Sequence, residues 1–215
     1  MFQSTPLTGR IWKRLPLSQM NSIPLKGEVS NRGQFSMKYP TTWQRHTIAS
    51  PLGPLLLAAS DHGLAGVWFD DQQHRPLDTT VAAWRENPQH PLLQQAAQQL
   101  GVYFQNPPDA MRRFDMPLDL SAGTVFQQAV WRALLDIPTG ETRSYGQVAQ
   151  AVDKPNAVRA VGAAIGRNPL TIVVPCHRVI GSNGALTGYA GGLHRKTSLL
   201  ALEGASINIH PTKPH

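Results

Sequence analysis

The chain has 215 residues, of which 41% are hydrophobic, and a formal net charge of +7, so it can bury the core of one large or two small domains. Its single cysteine excludes an intramolecular disulfide framework and a zinc site built from several thiolates. Since no apolar run has the length of a signal peptide or a membrane helix, we expect a cytoplasmic protein that contacts no membrane. We also expect no metal, because the eight histidines show no ligand spacing, and no cofactor.

The N-terminal residues are predicted to form a flexible basic leader over residues 1–40. This stretch mixes Pro, Ser, Gly, Gln and basic residues without sustained hydrophobic periodicity. Met20 and Met37 are alternative start sites within it.

Removal of this leader is expected to leave the activity unchanged, because the leader carries no candidate chemical group. A chain that begins at Met37 should keep the full activity of the 215-residue chain in a side-by-side assay. An inactive truncated chain would contradict the leader interpretation.

Residues 41–120 are predicted to form a small supporting domain with an antiparallel sheet and one helix. Clusters of Pro, Gly and Asp mark the turns between the strands, and apolar residues at helical spacing mark the helix, which ends at Asn106-Pro107-Pro108. The predicted strands cover residues 46–50, 55–60, 64–69 and 114–118, the helix covers residues 91–105, and residues 121–123 form a linker.

Residues 121–204 are predicted to form a helical domain, followed by a flexible tail over residues 205–215. Two capping boxes begin helices at residues 126–135 and 145–152, and after a turn at residues 153–155 Asn156 is expected to cap a third helix that ends at residue 165. A last helix is predicted over residues 195–202. The second and third helices have the pattern of a helix-turn-helix, which many other soluble helix pairs share.

The most informative residue is Cys176, which follows the apolar run 172–175 and precedes His177 and Arg178. The run is predicted to be a buried strand that ends at its proline. Both His177 and Arg178 favour the thiolate over the thiol, so Cys176 is a candidate nucleophile. A buried, inert cysteine is the alternative on these residues alone.

Other residues of this domain favour a polyanionic partner, and one of them is an acid that could lie near this nucleophile. Residues 121–204 carry eight Lys/Arg against four Asp/Glu, which favours binding to a polyanion, although a solvated basic face has the same composition. Arg159 lies near the start of the third helix, Asn168-Pro169 turns the chain towards Cys176, and Glu203 lies where the chain could return to His177.

These motifs together resemble a known family. The segment Pro175-Cys176-His177-Arg178-Val179, preceded by residues 159–162 and 168–169 and followed by residues 188–192, resembles the O6-alkylguanine-DNA alkyltransferase family. The resemblance covers residues 121–204 and, more loosely, the sheet domain. It implies an α+β protein whose sheet-and-helix domain precedes a winged-helix-like, helix-turn-helix catalytic domain.

The resemblance implies DNA repair by direct reversal of damage. The alkyl group of O6-alkylguanine, and also the methyl group of O4-methylthymine, would pass irreversibly to Cys176, so that each molecule acts once. His177 would act as base through a water, Glu203 would orient His177, and Asn168 would brace the turn beneath Cys176. Tyr145 would contact the base and stabilise the leaving oxygen.

The implied partner is double-stranded DNA that contains O6-alkylguanine, bound by a monomer. Arg159 would fill the space of the flipped base, as is general for chemistry on a stacked base. The DNA contacts would also include Tyr145, Ala160, Gly162, Arg143 and Arg167, and the base pocket would include Val179, Tyr189 and Ala190. Cooperative binding along DNA is left open.

The chain also departs from the family. Ala190 stands where some relatives have a serine, so only its backbone N–H can serve there, and the chain lacks the cysteines of a zinc site found in some relatives. Two rival functions remain at this point: a lesion-binding protein that transfers nothing, and a cysteine hydrolase that uses Cys176, His177 and Glu203.

Overall fold

The computed structural model describes residues 39–105 and 113–205, all of which belong to one compact unit. The first part of this unit, up to residue 120, contains a four-stranded sheet and two helices. Its elements are β1 (Gln44–Ile48), β2 (Leu55–Ser60), β3 (Gly63–Phe69), α1 (Asp78–Ala83), β4 (Arg85–Glu86) and α2 (Pro91–Gln105).

The sheet has the strand order β3-β2-β1-β4. The three predicted strands β1, β2 and β3 pair antiparallel, with Ile48 opposite Leu55 and Leu55 opposite Phe69. The short strand β4 and helix α1 were not predicted from the sequence, and β4 pairs parallel to β1. The fourth predicted strand, residues 114–118, was wrong, since it forms one isolated bridge between Leu118 and Leu64.

The two faces of the sheet bury different cores. Alternate residues of a strand point to opposite faces, so Leu55 and Leu57 join the main core with α2, whereas Leu56 and Ala58 join a second cluster. That cluster is aromatic and is built from Trp43, Trp68 and Trp84 with Tyr39 packed against them. Burial on both faces makes the sheet a rigid support.

The second part of the unit is mainly helical. Its elements are α3 (Val125–Leu135), β5 (Arg143–Ser144), α4 (Tyr145–Ala151), α5 (Val158–Gly166), a 3-10 turn (Cys176–Arg178), β6 (Val179–Ile180) and α6 (Leu193–Leu202). The short strands β5 and β6 pair parallel beside the helix pair α4–α5. These elements confirm a mixed α+β fold.

Both predicted capping boxes are present, and the predicted third cap is not. Thr124 caps α3 and Ser144 caps α4, each with a glutamine that returns a bond to the cap residue. Helix α5 begins later than predicted, at Val158, and its cap residue Ala157 makes no side-chain cap bond. Asn156 was therefore wrong as a cap, because the turn after α4 extends through residue 157.

The predicted strand before Cys176 was also wrong, although its burial was right. Residues 171–174 form a tight turn in which Thr171 bridges Val174, and Ile172 has a left-handed φ of 73°. A β-branched residue adopts this conformation only when its surroundings hold it there. Leu170, just before this turn, bridges β3 at Val67, so the sheet supports the segment that carries the cysteine.

Several predictions lie outside the described residues. These are the leader up to residue 38, the helix stop at residues 106–108, and the tail beyond residue 205. In the parts of the chain that the structure does describe, none of the helices combines the length and the apolar character needed to cross a membrane.

Candidate active site

Cys176 is buried and held by a neighbouring side chain. It begins a 3-10 turn, directly after Pro175, and is 5% exposed. The side-chain amide of Asn168 donates to Cys176 Sγ at 3.1 Å and to the carbonyl of Val174 at 2.8 Å, and it accepts from Leu170 N at 2.9 Å. Asn168 therefore holds both ends of the tight turn and contacts the sulfur itself.

His177 is fully buried beside Cys176 and pairs with Glu203. Its Nε2 lies 2.9 Å from Glu203 Oε1 at the end of α6. Because an ionised carboxylate only accepts hydrogen bonds, Nε2 carries the proton and Nδ1 keeps a free lone pair. Nδ1 is buried and has no hydrogen-bond partner among the described residues. It is the nitrogen that can take a proton.

Glu203 is the centre of a buried network. Arg178 donates to both of its carboxylate oxygens, at 2.7 and 2.8 Å, and the Tyr103 hydroxyl donates to Oε1 at 2.8 Å. Burial acts to raise the pKa of Glu203, but the bonds and charges of His177 and Arg178 outweigh it and lower the pKa. Glu203 is therefore an anion at neutral pH.

The guanidinium of Arg178 contacts other groups than the thiol. It donates hydrogen bonds to Glu203, the Ile137 carbonyl and Thr139, and the carboxylate of Glu203 neutralises its charge. Burial raises the pKa of Cys176, and the charge that opposes this comes from Lys196, a buried lysine of α6. The sequence pattern did not single out Lys196, because a lysine on an amphipathic helix is usually exposed.

Lys196 also holds the backbone around the site. Its Nζ donates to the Val179 carbonyl at 2.5 Å and to the Thr187 carbonyl at 2.7 Å. Burial lowers the pKa of Lys196 to about 8. The lysine therefore connects the strand after the cysteine to the glycine-rich loop at residues 187–192.

The buried thiol needs a base. Burial raises the pKa of Cys176, and the Asn168 bond and the charge of Lys196 only partly oppose this. Burial also lowers the pKa of His177, which keeps the ring neutral and able to accept a proton. A neutral thiol beside a neutral imidazole that an anion orients has the arrangement of an activated nucleophile.

The helix pair α4–α5 presents a basic and small-residue surface. Arg159 and Ala160 are exposed in the first turn of α5, and Arg159 makes no ion pair with a described residue. Buried Trp131 donates from Nε1 to the Ala164 carbonyl at 2.8 Å and so anchors the other end of α5 to α3. Arg159 is therefore a free charge on a fixed helix.

The other predicted basic contacts differ in their surroundings. Arg143 is half-buried and pairs with Glu141 at 2.8 Å, whereas Arg167 is half-buried at the end of α5. Their roles in DNA binding stay predictions.

A cleft of about 290 Å³ lies between α4, α5 and the glycine-rich loop. Its lining includes Tyr145, Gly162, Thr187, Gly188, Tyr189 and Ala190. A Cβ on Gly162 would lie 3.7 Å from the Tyr145 ring, an ordinary contact distance, so α5 packs directly beside this ring. The structure thus brings four predicted site residues, Tyr145, Gly162, Tyr189 and Ala190, to one cleft.

Two hydroxyl groups of this region lie within electrostatic reach of Cys176. The charge of Cys176 contributes to raising the pKa of both Tyr145 and Tyr189, although burial is the larger cause in each case. The Tyr145 hydroxyl donates to the carbonyls of Thr187 and Gly188, at 3.2 and 3.3 Å. Val179, which was also predicted to line the pocket, is fully buried next to β5.

The fold and the site together define a class. They describe a two-part α+β protein in which a sheet supports a helix-turn-helix and a buried cysteine nucleophile lies close to the second helix. Comparison with known proteins gives the particular family. Residues 44–120 match the 6-O-methylguanine DNA methyltransferase ribonuclease-like domain, and residues 125–205 match the DNA binding domain of the same family.

Individual relatives agree with the family match. A methylated-DNA–protein-cysteine methyltransferase of Mycolicibacterium paratuberculosis is 52% identical over 157 residues, which cover 73% of this chain and 90% of the relative. One from Methanosarcina acetivorans is 47% identical over 156 residues, or 73% and 95% of the two chains. The crystal structure of Mycobacterium tuberculosis OGT in complex with DNA has 48% identity and a TM-score of 0.67, covering 74% and 92%. The chain belongs to the methylated-DNA–protein-cysteine methyltransferase family.

Proposed function

We propose that this protein repairs DNA by moving the alkyl group of O6-alkylguanine onto Cys176, irreversibly and once per molecule. The observation that carries the proposal is the set of contacts from Asn168 to Cys176 Sγ and from His177 to Glu203. These contacts lie next to a helix-turn-helix, in a chain that belongs to this family. The implied partner is duplex DNA.

The chemical step is a substitution at the alkyl carbon. The Cys176 thiol gives its proton to Nδ1 of His177, by way of a bridging water, and Glu203 stabilises the resulting imidazolium. The sulfur then attacks, a C–S bond forms, and the C–O6 bond breaks with its electron pair on the guanine oxygen. Since the product thioether is stable, the protein does not regenerate.

The leaving oxygen needs a proton or a hydrogen bond. We assign this role to the Tyr145 hydroxyl in the cleft. Burial raises the pKa of Tyr145, so the hydroxyl is a neutral donor at pH 7 and can donate to a developing anion. It would exchange its bonds with the Thr187 and Gly188 carbonyls for one with the base.

The target base must leave the duplex to reach the buried sulfur. Enzymes that act on a stacked base extrude it into a pocket, which costs a few kcal/mol of unstacking. Exposed Arg159 at the start of α5 is the side chain we assign to fill the vacated space. Ala160 and Gly162 allow the helix to approach the DNA backbone, and Arg143 and Arg167 hold phosphates.

Intact-mass measurement tests the proposed function. The protein is incubated with a duplex that contains one O6-methylguanine, and its mass and modified peptide are determined. We expect one added methyl group on Cys176 that stops at a single equivalent. An unmodified protein that still binds the duplex would instead support lesion binding without transfer, and multiple turnover of an ester or amide would support a hydrolase.

Replacement of Arg159 by alanine is expected to slow transfer from a duplex about tenfold or more, because the gap left by the flipped base is no longer filled. Transfer from a single-stranded oligonucleotide with the same lesion should fall much less, since no stack has to be opened. Arg132→Ala, an exposed arginine on α3, is the matched control. Equal losses on both substrates would assign Arg159 to phosphate binding.

Four finer points belong to the same proposal. O4-methylthymine in place of O6-methylguanine tests whether the pocket accepts a pyrimidine. The protein is proposed to act in the cytoplasm. It is also proposed to act as a monomer, which sedimentation of the free protein tests. The slope of log Kd against log salt concentration measures how many phosphates its basic residues contact.

A further inference from the structure

The wall of the cleft is completed by a turn from the sheet part of the chain. Besides residues of α4, α5 and the glycine-rich loop, Gln73 and His74 line it. Both belong to the segment that follows β3, residues 70–75, which we name the β3 turn. Neither residue was singled out from the sequence, because nothing in the local pattern connects them to a site about a hundred residues later.

The β3 turn is anchored to the cysteine-bearing part at three successive residues. Asp71 accepts from Arg195 at 2.6 Å, buried Gln72 accepts from the Thr171 hydroxyl at 2.9 Å, and Gln73 N donates to the Ala190 carbonyl at 2.9 Å. Gln72 Oε1 also accepts from Phe69 N at 3.3 Å. These bonds fix where the next residue, His74, stands.

Arg195 strengthens the same connection. It donates to the Leu52 carbonyl at 2.8 Å and to the Gly191 carbonyl at 2.8 Å, and its guanidinium lies 4.2 Å from the centre of the Phe69 ring. Gly191 itself packs closely on Phe69. The glycine-rich loop is therefore tied to the sheet, so the distance between His74 and Ala190 is set by the fold.

His74 lies at the mouth of the cleft and has an unusual backbone conformation. Its φ is 62°, in the left-handed region that histidine, asparagine and aspartate adopt more readily than most residues. His74 lines the cleft and is exposed, so it lies at the solvent-facing edge of the cleft.

We propose that His74 is a specificity-determining residue that limits the size of the alkyl group transferred to Cys176. The inference rests on the proposed function, in which the Tyr145 hydroxyl contacts the leaving O6 oxygen in this cleft. Tyr145 and His74 line the same cleft, and the bond from Gln73 to Ala190 holds the β3 turn there, so a group larger than methyl on O6 meets His74. The sheet part of the chain then takes part in substrate choice as well as support.

The test compares two duplexes, one with O6-methylguanine and one with O6-benzylguanine, in single-turnover transfer to full-length protein. In both cases the C–S bond forms, the C–O6 bond breaks and the guanine takes up one proton. His74→Asn shortens the side chain and tolerates the positive φ. We expect it to raise the benzyl-to-methyl rate ratio about tenfold, and His74→Trp to lower it.

The ratio separates specificity from stability, because loss of folded protein lowers both rates equally. His62→Asn, in an exposed turn of the same sheet, is the matched control and should keep the wild-type ratio. Unchanged ratios in both His74 variants, with a wild-type protein that transfers both groups, would overturn this inference alone. A wild-type protein that transfers neither group would instead overturn the proposed function on which it rests.

Discussion

Replacement of Cys176 by alanine is expected to abolish alkyl transfer while leaving binding to the damaged duplex measurable. The chain contains no other cysteine, so no second thiol can accept the alkyl group. Binding depends on α5 and on the side chains that line the cleft, which this substitution leaves unchanged. The measurement pairs intact-mass analysis after incubation with O6-methylguanine DNA with a binding titration on the same duplex.

Cys176→Ser is the control for the structural role of the sulfur. Its hydroxyl can still accept from the Asn168 amide, as Sγ does at 3.1 Å, so the tight turn before the cysteine keeps its support. Serine is a far weaker nucleophile at neutral pH than a thiol whose proton a histidine removes. We expect no transfer from Cys176→Ser either, with stability close to wild type. Methyl transfer by either variant would refute the mechanism.

Replacement of Glu203 by glutamine is expected to destabilise the fold by about 3–5 kcal/mol, the usual cost of removing one partner of a buried ion pair. Arg178 would be left as a buried cation without its anion, and His177 would lose the charge that stabilises its protonated form. The variant should also transfer alkyl groups roughly a hundredfold more slowly. Urea unfolding at pH 7 and single-turnover kinetics measure the two effects.

The pH dependence of unfolding tests whether the negative charge of Glu203 is the cause of its contribution to stability. The pKa of Glu203 is lower in the folded protein than its ordinary value of 4.5, so its contribution to stability is present above pH 4.5 and is lost as the pH falls below it. Wild-type protein should therefore lose more stability between pH 5 and pH 3 than Glu203→Gln does. Parallel curves for the two proteins would contradict a charged Glu203.

The matched control is Glu141→Gln, the same chemical change in an exposed pair. Glu141 lies 2.8 Å from Arg143, and its side chain is 49% exposed. Exposed pairs of this kind contribute about 0–1 kcal/mol because water screens both charges. A loss at Glu141→Gln as large as that at Glu203→Gln would mean that burial is not the reason for the effect.

Local signals in the sequence predicted most regular elements well. Strand β2 and helix α2 have the predicted bounds, and the capping boxes at Thr124 and Ser144 begin helices where their chemistry requires. A capping box acts within four residues, so its effect can be seen without knowledge of distant contacts. The same locality explains why Cys176, His177 and the turn residue Asn168 could be named in advance.

Predictions failed where distant contacts decide the conformation. The apolar run before Cys176 has the composition of a strand, but Asn168 and the bridge from Leu170 to β3 hold it as a turn. Arg178 is two residues from Cys176 in the sequence, yet its guanidinium forms an ion pair with Glu203, 25 residues later. Composition cannot separate these outcomes, because they depend on which groups meet after folding.

The sequence by itself determined the class of fold, the nucleophile, its neighbouring histidine and the family, since each of these follows from residue type and short-range spacing. Only the tertiary structure decided that Tyr103 and Arg178 complete the Glu203 network, that buried Lys196 supplies the charge near the thiol, and that His74 stands at the cleft. Hydrogen bonds and charges act over a few ångströms in space, whatever the separation along the chain. Partners a hundred residues apart therefore become visible only when the chain is folded.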